Sequence, residues 1–243
     1  MPIGNDLVDL RAPEIAGKAE DERFTRRVLS DSEARCLLET AEPDLALWMI
    51  WAAKEAAFKA ARKVVGEIPF AHRSFQVALA ADVASRVGAE RGGAVSGTVD
   101  VLAWKGGEGL SCRVDWQVSD SFVHCIARAG PDHHAWRTWS SVLDCAEAGP
   151  APDAEYWEPR ERISIHSPAS AVVRRLAKNL AVEAGLGPVD IVREPRGRSY
   201  GPPTLFRPGA SEPIPSWDLS LSHHGGLVAV ALTGPPATPS NKR

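Results

Sequence analysis

The chain lacks the features that several classes of protein require. Its four cysteines are scattered, with no Cys-x-x-Cys pair and no zinc-ligand spacing. No apolar run approaches the roughly 20 residues that span a bilayer, and the first residues have neither the basic start nor the apolar core of a signal peptide. The net charge of −3 gives no global reason to bind nucleic acid. We therefore expect a cytoplasmic protein with reduced thiols, without a membrane or nucleic-acid partner, in which any anion site is local.

The composition is that of a globular protein. Of 243 residues, 44% are hydrophobic and 24% charged, which fits one large domain or two of ordinary size. Helical and strand-like patterns alternate, so we expect an α+β fold of two similar α/β halves in a pseudo-twofold arrangement, each an antiparallel sheet packed with a long helix. The expected halves are residues 1–143 and 161–233, with a linker at 144–160 and a disordered tail at 234–243.

The first half begins with a short apolar run, Ile3 to Leu10, that is typical of a strand. Ser30-Asp-Ser-Glu33 reads as a capping box that starts a helix. A longer helix is predicted from about Leu45 to Val65, ending at Gly66. Three strand-like runs follow at 74–80, 97–104 and 113–129, the last interrupted near Ser119.

The second half partly repeats this order. Ser167-Pro-Ala-Ser begins a helix that covers 171–183, and 189–193 is a predicted strand. A turn at 194–198 and a proline-rich loop at 201–215 come next. Residues 218–232 form two apolar runs hinged at His223-His-Gly-Gly, just as the first half ends with two runs around a polar interruption. This pattern predicts that the halves are diverged copies of one unit.

Glu55 is the most informative residue of the long helix, because it is a carboxylate on an apolar stripe. On a helix it shares a face with Trp48, Trp51 and Ala52, and a carboxylate there is costly unless a cation, a metal or good donors compensate it. Lys59 and Arg62 lie on the same face and could reach it. The alternative is a surface Glu–Lys pair that contributes about 0.2–0.5 kcal/mol.

Three separated motifs carry a family resemblance. They are Gly4-Asn-Asp6, Lys54-Glu55-x-x-x-Lys59 and Ser220-Leu-Ser-His223, supported by Arg23-Phe24 and Arg27-Val-Leu-Ser-x-x-Glu33. Together they resemble the 4′-phosphopantetheinyl transferase superfamily, closely over residues 3–66, loosely over 70–129, and again over 170–232. Each motif is short, and the specificity lies in their combination.

The order of the motifs is unusual for that superfamily. Its long, pseudo-dimeric members usually carry the Ser-x-Ser-His half first, whereas here the Asp/Glu half comes first. Short members have the present order on one unit and form oligomers with sites between subunits. The resemblance therefore implies a monomer that builds one such site internally, between its two halves.

The resemblance implies a reaction and a set of roles. Such enzymes move phosphopantetheine from coenzyme A to a serine of an acyl or peptidyl carrier protein and release 3′,5′-ADP, with Mg²⁺ as cofactor. Asp6 and Glu55 would hold the metal, and Glu55 would also take the proton of the carrier serine. Lys59 would hold the pyrophosphate. Whether the carrier serves fatty-acid, polyketide or nonribosomal peptide synthesis is left open.

Further residues would contact the phosphates of coenzyme A. Ser222 and His223 occupy the family positions for this role, and Arg198 lies where the family commonly has Gly-Lys-Pro. Arg174 and Arg175 are additional candidates. The family's usual arginine near the start of that helix is missing, because Ala169 and Ser170 occupy its place.

Two departures keep other functions open. Val8 stands at the third acidic position of many long members, and Ser-His-His replaces the usual Ser-His-Ser. The alternative is a catalytically weak or inactive member of the fold that binds coenzyme A or a carrier protein. A third interpretation, without the resemblance, is a two-domain structural protein.

The cluster of Arg23, Arg26 and Arg27 is either a solvated face or a docking surface for an acidic carrier helix.

Overall fold

The computed structural model describes residues 1–78, 94–102, 109–130, 136–197 and 199–235, and it has the predicted α+β character. Its helices are α1 Glu22–Val28, α2 Asp31–Glu39, α3 Pro43–Val65, α4 Pro159–Arg162 and α5 Pro168–Glu183. Its strands are β1 Ile3–Asp9, β2 Phe75–Ala78, β3 Ala94–Val101, β4 Leu110–Val118, β5 Phe122–Ala129, β6 Arg137–Asp144, β7 Asp190–Val192, β8 Pro195–Arg196, β9 Ser199–Tyr200, β10 Thr204–Phe206, β11 Asp218–His224 and β12 Leu227–Gly234.

Helix α3 packs across a five-stranded antiparallel sheet in the order β1-β5-β4-β3-β2. The helix begins at Pro43, a residue that suits the first helical turn, and stops at Gly66, whose φ of 77° favours glycine. Its alanines at 56 and 60 allow a close approach to β1 at Gly4. The long helix and the strand pair interrupted near Ser119 are thus confirmed.

A second, three-stranded antiparallel sheet has the order β11-β12-β6 and packs against α5. The hairpin of β11 and β12 turns at residues 224–227, at the predicted hinge. Strand β6 was not expected, because Arg137-Thr-Trp-Ser-Ser-Val-Leu-Asp shows no clean alternation of polar and apolar residues. It precedes the predicted linker yet pairs with β12 along its whole length.

The two sheets meet edge to edge through side chains. Strand β1 is at the edge of one sheet and β11 at the edge of the other. The backbone N–H groups of Ile3, Asn5 and Asp9 donate to the side chains of Asp218, Ser220 and His224, at 2.7, 2.9 and 3.1 Å and at a constant separation of 215 positions. The strands therefore run parallel, and side chains satisfy the edge N–H groups that a ladder would otherwise pair.

A buried ion pair connects α2, α3 and the first sheet. Lys54 and Glu33, both almost fully buried, are 2.6 Å apart from Nζ to Oε2. Lys54 also donates to Val28 O, and Glu33 accepts from the backbone N–H groups of Ser30 and Val77. The predicted capping box at Ser30 is confirmed, but its glutamate also compensates a lysine in the core. Burial lowers the pKa of Lys54, and Glu33 opposes this shift.

Within the described ranges, none of the helices combines the length and hydrophobicity that crossing a bilayer requires. Gly234 is the last residue of β12, and the rest of the expected tail, from residue 236, lies outside the described residues. The predicted strand residues 79–80 and 103–104 also lie outside them.

The contact between β1 and α3 predicts a large effect of Gly4→Ala. An added Cβ would lie 2.0 Å from Ala56 O and 2.7 Å from Ala60 N, which are backbone atoms that cannot turn away. We expect the free energy of unfolding, measured by urea denaturation, to fall by about 3 kcal/mol or more. Gly109→Ala is the control, because a Cβ there meets nothing within 4 Å, and it should stay within about 0.5 kcal/mol of the wild type. Equal stabilities of the two variants would contradict the close packing.

Candidate active site at the seam between the sheets

The side chain of Asp6 lies at the centre of the seam, where residues from three distant segments meet. Lys59 Nζ on α3 lies 2.7 Å from Asp6 Oδ1 and 2.8 Å from Asn5 O. From the other sheet, Ser222 Oγ on β11 donates to the same Asp6 oxygen at 3.0 Å. Three residues selected from the motifs, at positions 6, 59 and 222, are therefore in direct contact.

Asp6 is 8% exposed, and this burial is the main reason why its pKa is raised. The neighbouring carboxylate of Glu55 raises it further, while the Lys59 ammonium and the Ser222 hydroxyl lower it. The charge of Glu55 therefore acts on the ionisation of Asp6. A positive charge near both carboxylates would favour the charged form of Asp6.

Lys59 lines two cavities. The larger, about 450 Å³, is lined by Asp6 and by residues of β11 and α5, among them Ser222, His223, Ser167, Ser170 and Arg174. The smaller, about 180 Å³, is lined by Glu55, Phe58, Arg62 and the loop of Pro202 and Pro203. Lys59, Arg193 and Leu221 line both. Glu55 and His223 thus line different cavities that share Lys59.

The larger cavity is built to attract an anion. It lies at the start of α5, where Ser167 caps the helix and the first N–H groups carry partial positive charge. Arg174, one turn further on, is 2% exposed and donates to Ser170 O and to the carbonyl and hydroxyl of Ser164. Its Nε has no hydrogen-bond partner among the described residues. Burial, with a contribution from Arg193, lowers the pKa of Arg174 to about 10.

Arg193, which follows β7, is the cation that the sequence analysis missed. Its Nε donates to Gly201 O at 2.8 Å, and its side chain borders both cavities. Burial is the main cause that lowers its pKa, and the nearby Arg62 adds to the shift. The only sequence signal was its position as the last residue of the predicted strand 189–193, directly before the predicted turn. Ser164 and His166 were missed for the same reason, because loop residues follow no periodic pattern.

The other residues that the sequence predicted to contact phosphates do not all lie at the larger cavity. His223 is exposed at the rim of the larger cavity, and partial desolvation and Lys59 together lower its pKa. Arg175 donates to the carbonyl oxygens of Pro150 and Ala148 and lines neither cavity. The structure thus brings Arg174, rather than Arg175, to the cavity. Arg198 lies outside the described residues.

Glu55 does not form the predicted pair with Lys59. The Lys59 ammonium binds Asp6 and Asn5, and the Arg62 guanidinium lies over the Phe58 ring, 5.4 Å from its centroid. Across the described ranges, the one basic side chain within 4.0 Å of the Glu55 carboxylate is the imidazole of His72, with Nε2 3.7 Å from Oε1. A surface Glu–Lys pair therefore does not explain this carboxylate.

The residues at the seam fit a hard divalent cation. Asp6 and Glu55 offer carboxylate oxygens, the ligand type that Mg²⁺ prefers, and the charge of Glu55 contributes to the raised pKa of Asp6. In the part of the chain that the structure describes, no three His, Cys, Asp or Glu side chains cluster as a metal site would require. Two carboxylates with water and substrate phosphates are an ordinary Mg²⁺ ligand set, so the donors fit Mg²⁺ better than zinc.

A buried polar pair supports β1 from beneath. Asn5 Nδ2 lies 3.1 Å from His124 Nε2 on β5, and both side chains are almost fully buried. Burial, and secondarily the charge of Lys59, lowers the pKa of His124 to about 4. The imidazole is therefore neutral in the folded protein over the physiological range, and its Nε2 can accept the amide hydrogen.

The lowered pKa of His124 predicts a pH-dependent stability. The unfolded chain takes up a proton as the pH falls through 6.5, but the folded protein resists protonation down to about pH 4. Protonation of His124 therefore does not reduce the free energy of unfolding above pH 6.5, but it reduces it progressively as the pH falls from 6.5 towards 4. From pH 7 to pH 5 we expect this residue to account for a loss of about 2 kcal/mol. His124→Gln keeps an acceptor for Asn5 and should remove that part of the loss in urea denaturation. An unchanged pH dependence in the variant would refute the explanation.

Comparison with known families agrees with this geometry. The model of the 4′-phosphopantetheinyl transferase superfamily matches residues 2–122, which include β1, α3 and the strands β2, β3 and β4 of the first sheet, and it ends where β5 begins. A search among curated proteins found no match. The matched residues contain Asp6, Glu55 and Lys59, the motif residues of the first half, and the resemblance drawn from the sequence is confirmed. Through these residues the chain belongs to the 4′-phosphopantetheinyl transferase superfamily.

Proposed function

We propose that the protein transfers 4′-phosphopantetheine from coenzyme A to a serine hydroxyl of an acyl or peptidyl carrier protein and releases 3′,5′-ADP. The observation that carries the proposal is the meeting of Asp6, Lys59 and Ser222 at a cavity lined with cations. Membership of the superfamily supports the reaction class. Both halves supply motif residues, Asp6 and Lys59 from the first and Ser222 from the second. This supports a site that is built within one chain.

The larger cavity would bind the phosphates of coenzyme A. Lys59, Arg174 and Arg193 contribute positive charge, and Ser222, His223 and the start of α5 contribute hydrogen-bond donors. Arg174 reaches the cavity from the second turn of α5 and so replaces the family arginine that is missing at the helix start. Its free Nε donor favours an anionic ligand over a neutral one.

The reaction needs a proton acceptor and charge stabilisation. The carrier serine oxygen attacks the β-phosphorus, the bond from that phosphorus to the bridging oxygen breaks, and 3′,5′-ADP leaves. Glu55, which is 22% exposed and free of a lysine partner, would accept the serine proton. Lys59 would stabilise the charge on the pyrophosphate. Asp6 and Glu55 would hold Mg²⁺, which supplies neutralisation of the phosphate oxygens.

The carrier protein would dock beside the smaller cavity. Helix α1 presents Arg23, Arg26 and Arg27 to solvent, and its Phe24 stacks on Trp51 of α3 with ring centroids 5.4 Å apart. Trp51 lies one turn before Glu55, so the basic face borders the proposed catalytic carboxylate. An acidic carrier helix would be steered to this face and would bring its serine towards Glu55.

Transfer is tested directly by mass spectrometry. Apo acyl and peptidyl carrier proteins, mixed with coenzyme A, Mg²⁺ and the protein, should gain the mass of one phosphopantetheine group. Glu55→Gln should lower the rate by about 10²–10⁴-fold, because the proton acceptor is removed, with little change in Tm. Glu39→Gln, an exposed change on α2, should keep the wild-type rate. The proposal fails if none of the carriers gains mass with the wild type, or if Glu55→Gln is as fast.

Binding of coenzyme A tests the cationic cavity without any turnover. Calorimetry with the wild type and with Arg193→Met should show about 10–100-fold weaker binding in the variant, because one hydrogen bond to a charged group is lost. Arg35→Met, an exposed change on α2, is the matched control and should bind as the wild type does. Equal affinities of the two arginine variants would place the phosphates elsewhere.

A further inference from the structure

His72 is held beside Glu55 by its aromatic neighbours. It begins the short 3₁₀ helix His72–Ser74 after α3. Its ring lies between Trp51 and Phe70, with centroids 4.3 and 4.4 Å away, and the side chain is 15% exposed. The two aromatic contacts fix the ring, so its edge can point in only a few directions.

That edge carries an unmet hydrogen-bonding group. His72 Nε2 is buried and has no hydrogen-bond partner among the described residues. The group it faces is Glu55 Oε1, at 3.7 Å. For Glu55, too, the described part of the chain supplies no hydrogen bond, because Lys59 and Arg62 are engaged elsewhere. A buried ring nitrogen without a partner is costly, and the Glu55 carboxylate is the acceptor that His72 Nε2 faces.

We propose that His72 is a positioning residue, whose Nε2–H donates to the Glu55 carboxylate and fixes its orientation in the working site. This inference rests on the proposed function of Glu55. The present separation exceeds a normal N–H···O distance by about 0.7 Å, a gap that a small side-chain adjustment closes when substrate fills the cavities. Hydrogen bonds of catalytic groups are commonly long before the substrate is bound.

A histidine suits this role better than a lysine or an arginine. A lysine bonded to Glu55 would neutralise the charge that the proposed cation and the serine proton require. An imidazole N–H orients one carboxylate oxygen and leaves the other free. Partners of this kind, one step removed from the reacting atoms, typically contribute 10–100-fold in metal affinity or activity. Trp51 and Phe70 then act as the walls that keep the ring in place.

Two substitutions separate the hydrogen bond from the packing. His72→Phe keeps an aromatic ring between Trp51 and Phe70 but removes the donor, whereas His72→Gln keeps an N–H near the position of Nε2. We expect His72→Phe to lower kcat and raise the Mg²⁺ concentration for half-maximal rate by about 10–100-fold together, with the KM for coenzyme A unchanged. His72→Gln should recover most of that loss. Wild-type kinetics in His72→Phe, or equal losses in both variants, would overturn the proposal.

Histidine ¹⁵N spectra of the wild type, recorded with Mg²⁺ and coenzyme A bound, provide a readout that needs no turnover. His72→Phe assigns the signal, and the expected state is a proton on Nε2 whose shift changes in Glu55→Gln. A proton found only on Nδ1 would overturn the proposal, because Nε2 could then not donate. If the wild type fails to modify any carrier, the proposed function is refuted by that result alone, and the spectra still decide whether His72 bonds to Glu55.

Discussion

Along the seam, every second side chain of β11 accepts a hydrogen bond from the backbone of β1, with one exception. The site lies at that exception. Asp218, Ser220 and His224 accept from β1 N–H groups, but Ser222 turns its hydroxyl to the Asp6 carboxylate instead. Because side chains alternate along a strand, a slip of one residue in either strand would turn Asp6 or Ser222 to the opposite face. The register of the seam is therefore the condition for the site.

Three lysines of helix α3 point to different parts of the structure, and each has its own partner there. Lys54 enters the core and binds Glu33, Lys59 binds Asp6 at the seam, and Lys63 donates to Asp218 and to the carbonyl oxygens of Ile3 and Leu219. One helix thus anchors α2, positions Asp6, a proposed metal ligand, and binds both edge strands. The alanines at 56 and 60 let the backbone of β1 come close enough for the contacts of Lys59 with Asn5 O and of Lys63 with Ile3 O.

The sequence predicted those structural features that depend on local sequence patterns. Strand β1, helix α3, the capping box at Ser30 and the hairpin after β11 all follow from periodicity and capping residues, and the three motifs identified Asp6, Lys59 and Ser222 before any geometry. Strand β6 was missed because it is formed by pairing with β12, which no local pattern reveals. Arg193 and His72 were missed because they lie beside turns, where only the tertiary fold decides what a side chain faces. Lys54 is adjacent to Glu55 in the motif, yet only the structure shows that it serves the core.

The seam also determines which substitutions in this protein can alter the distance between its two sheets. A backbone ladder would fix the spacing of two strands at about 4.8 Å, but here the spacing depends on the lengths of three side chains on β11. Exchanging one of them would widen or narrow the cleft while the ladders of both sheets and the two apolar cores stay intact. The width of the cleft can therefore change over evolutionary time through exchanges at these three positions, as long as each new side chain still accepts the N–H group of β1 that it faces.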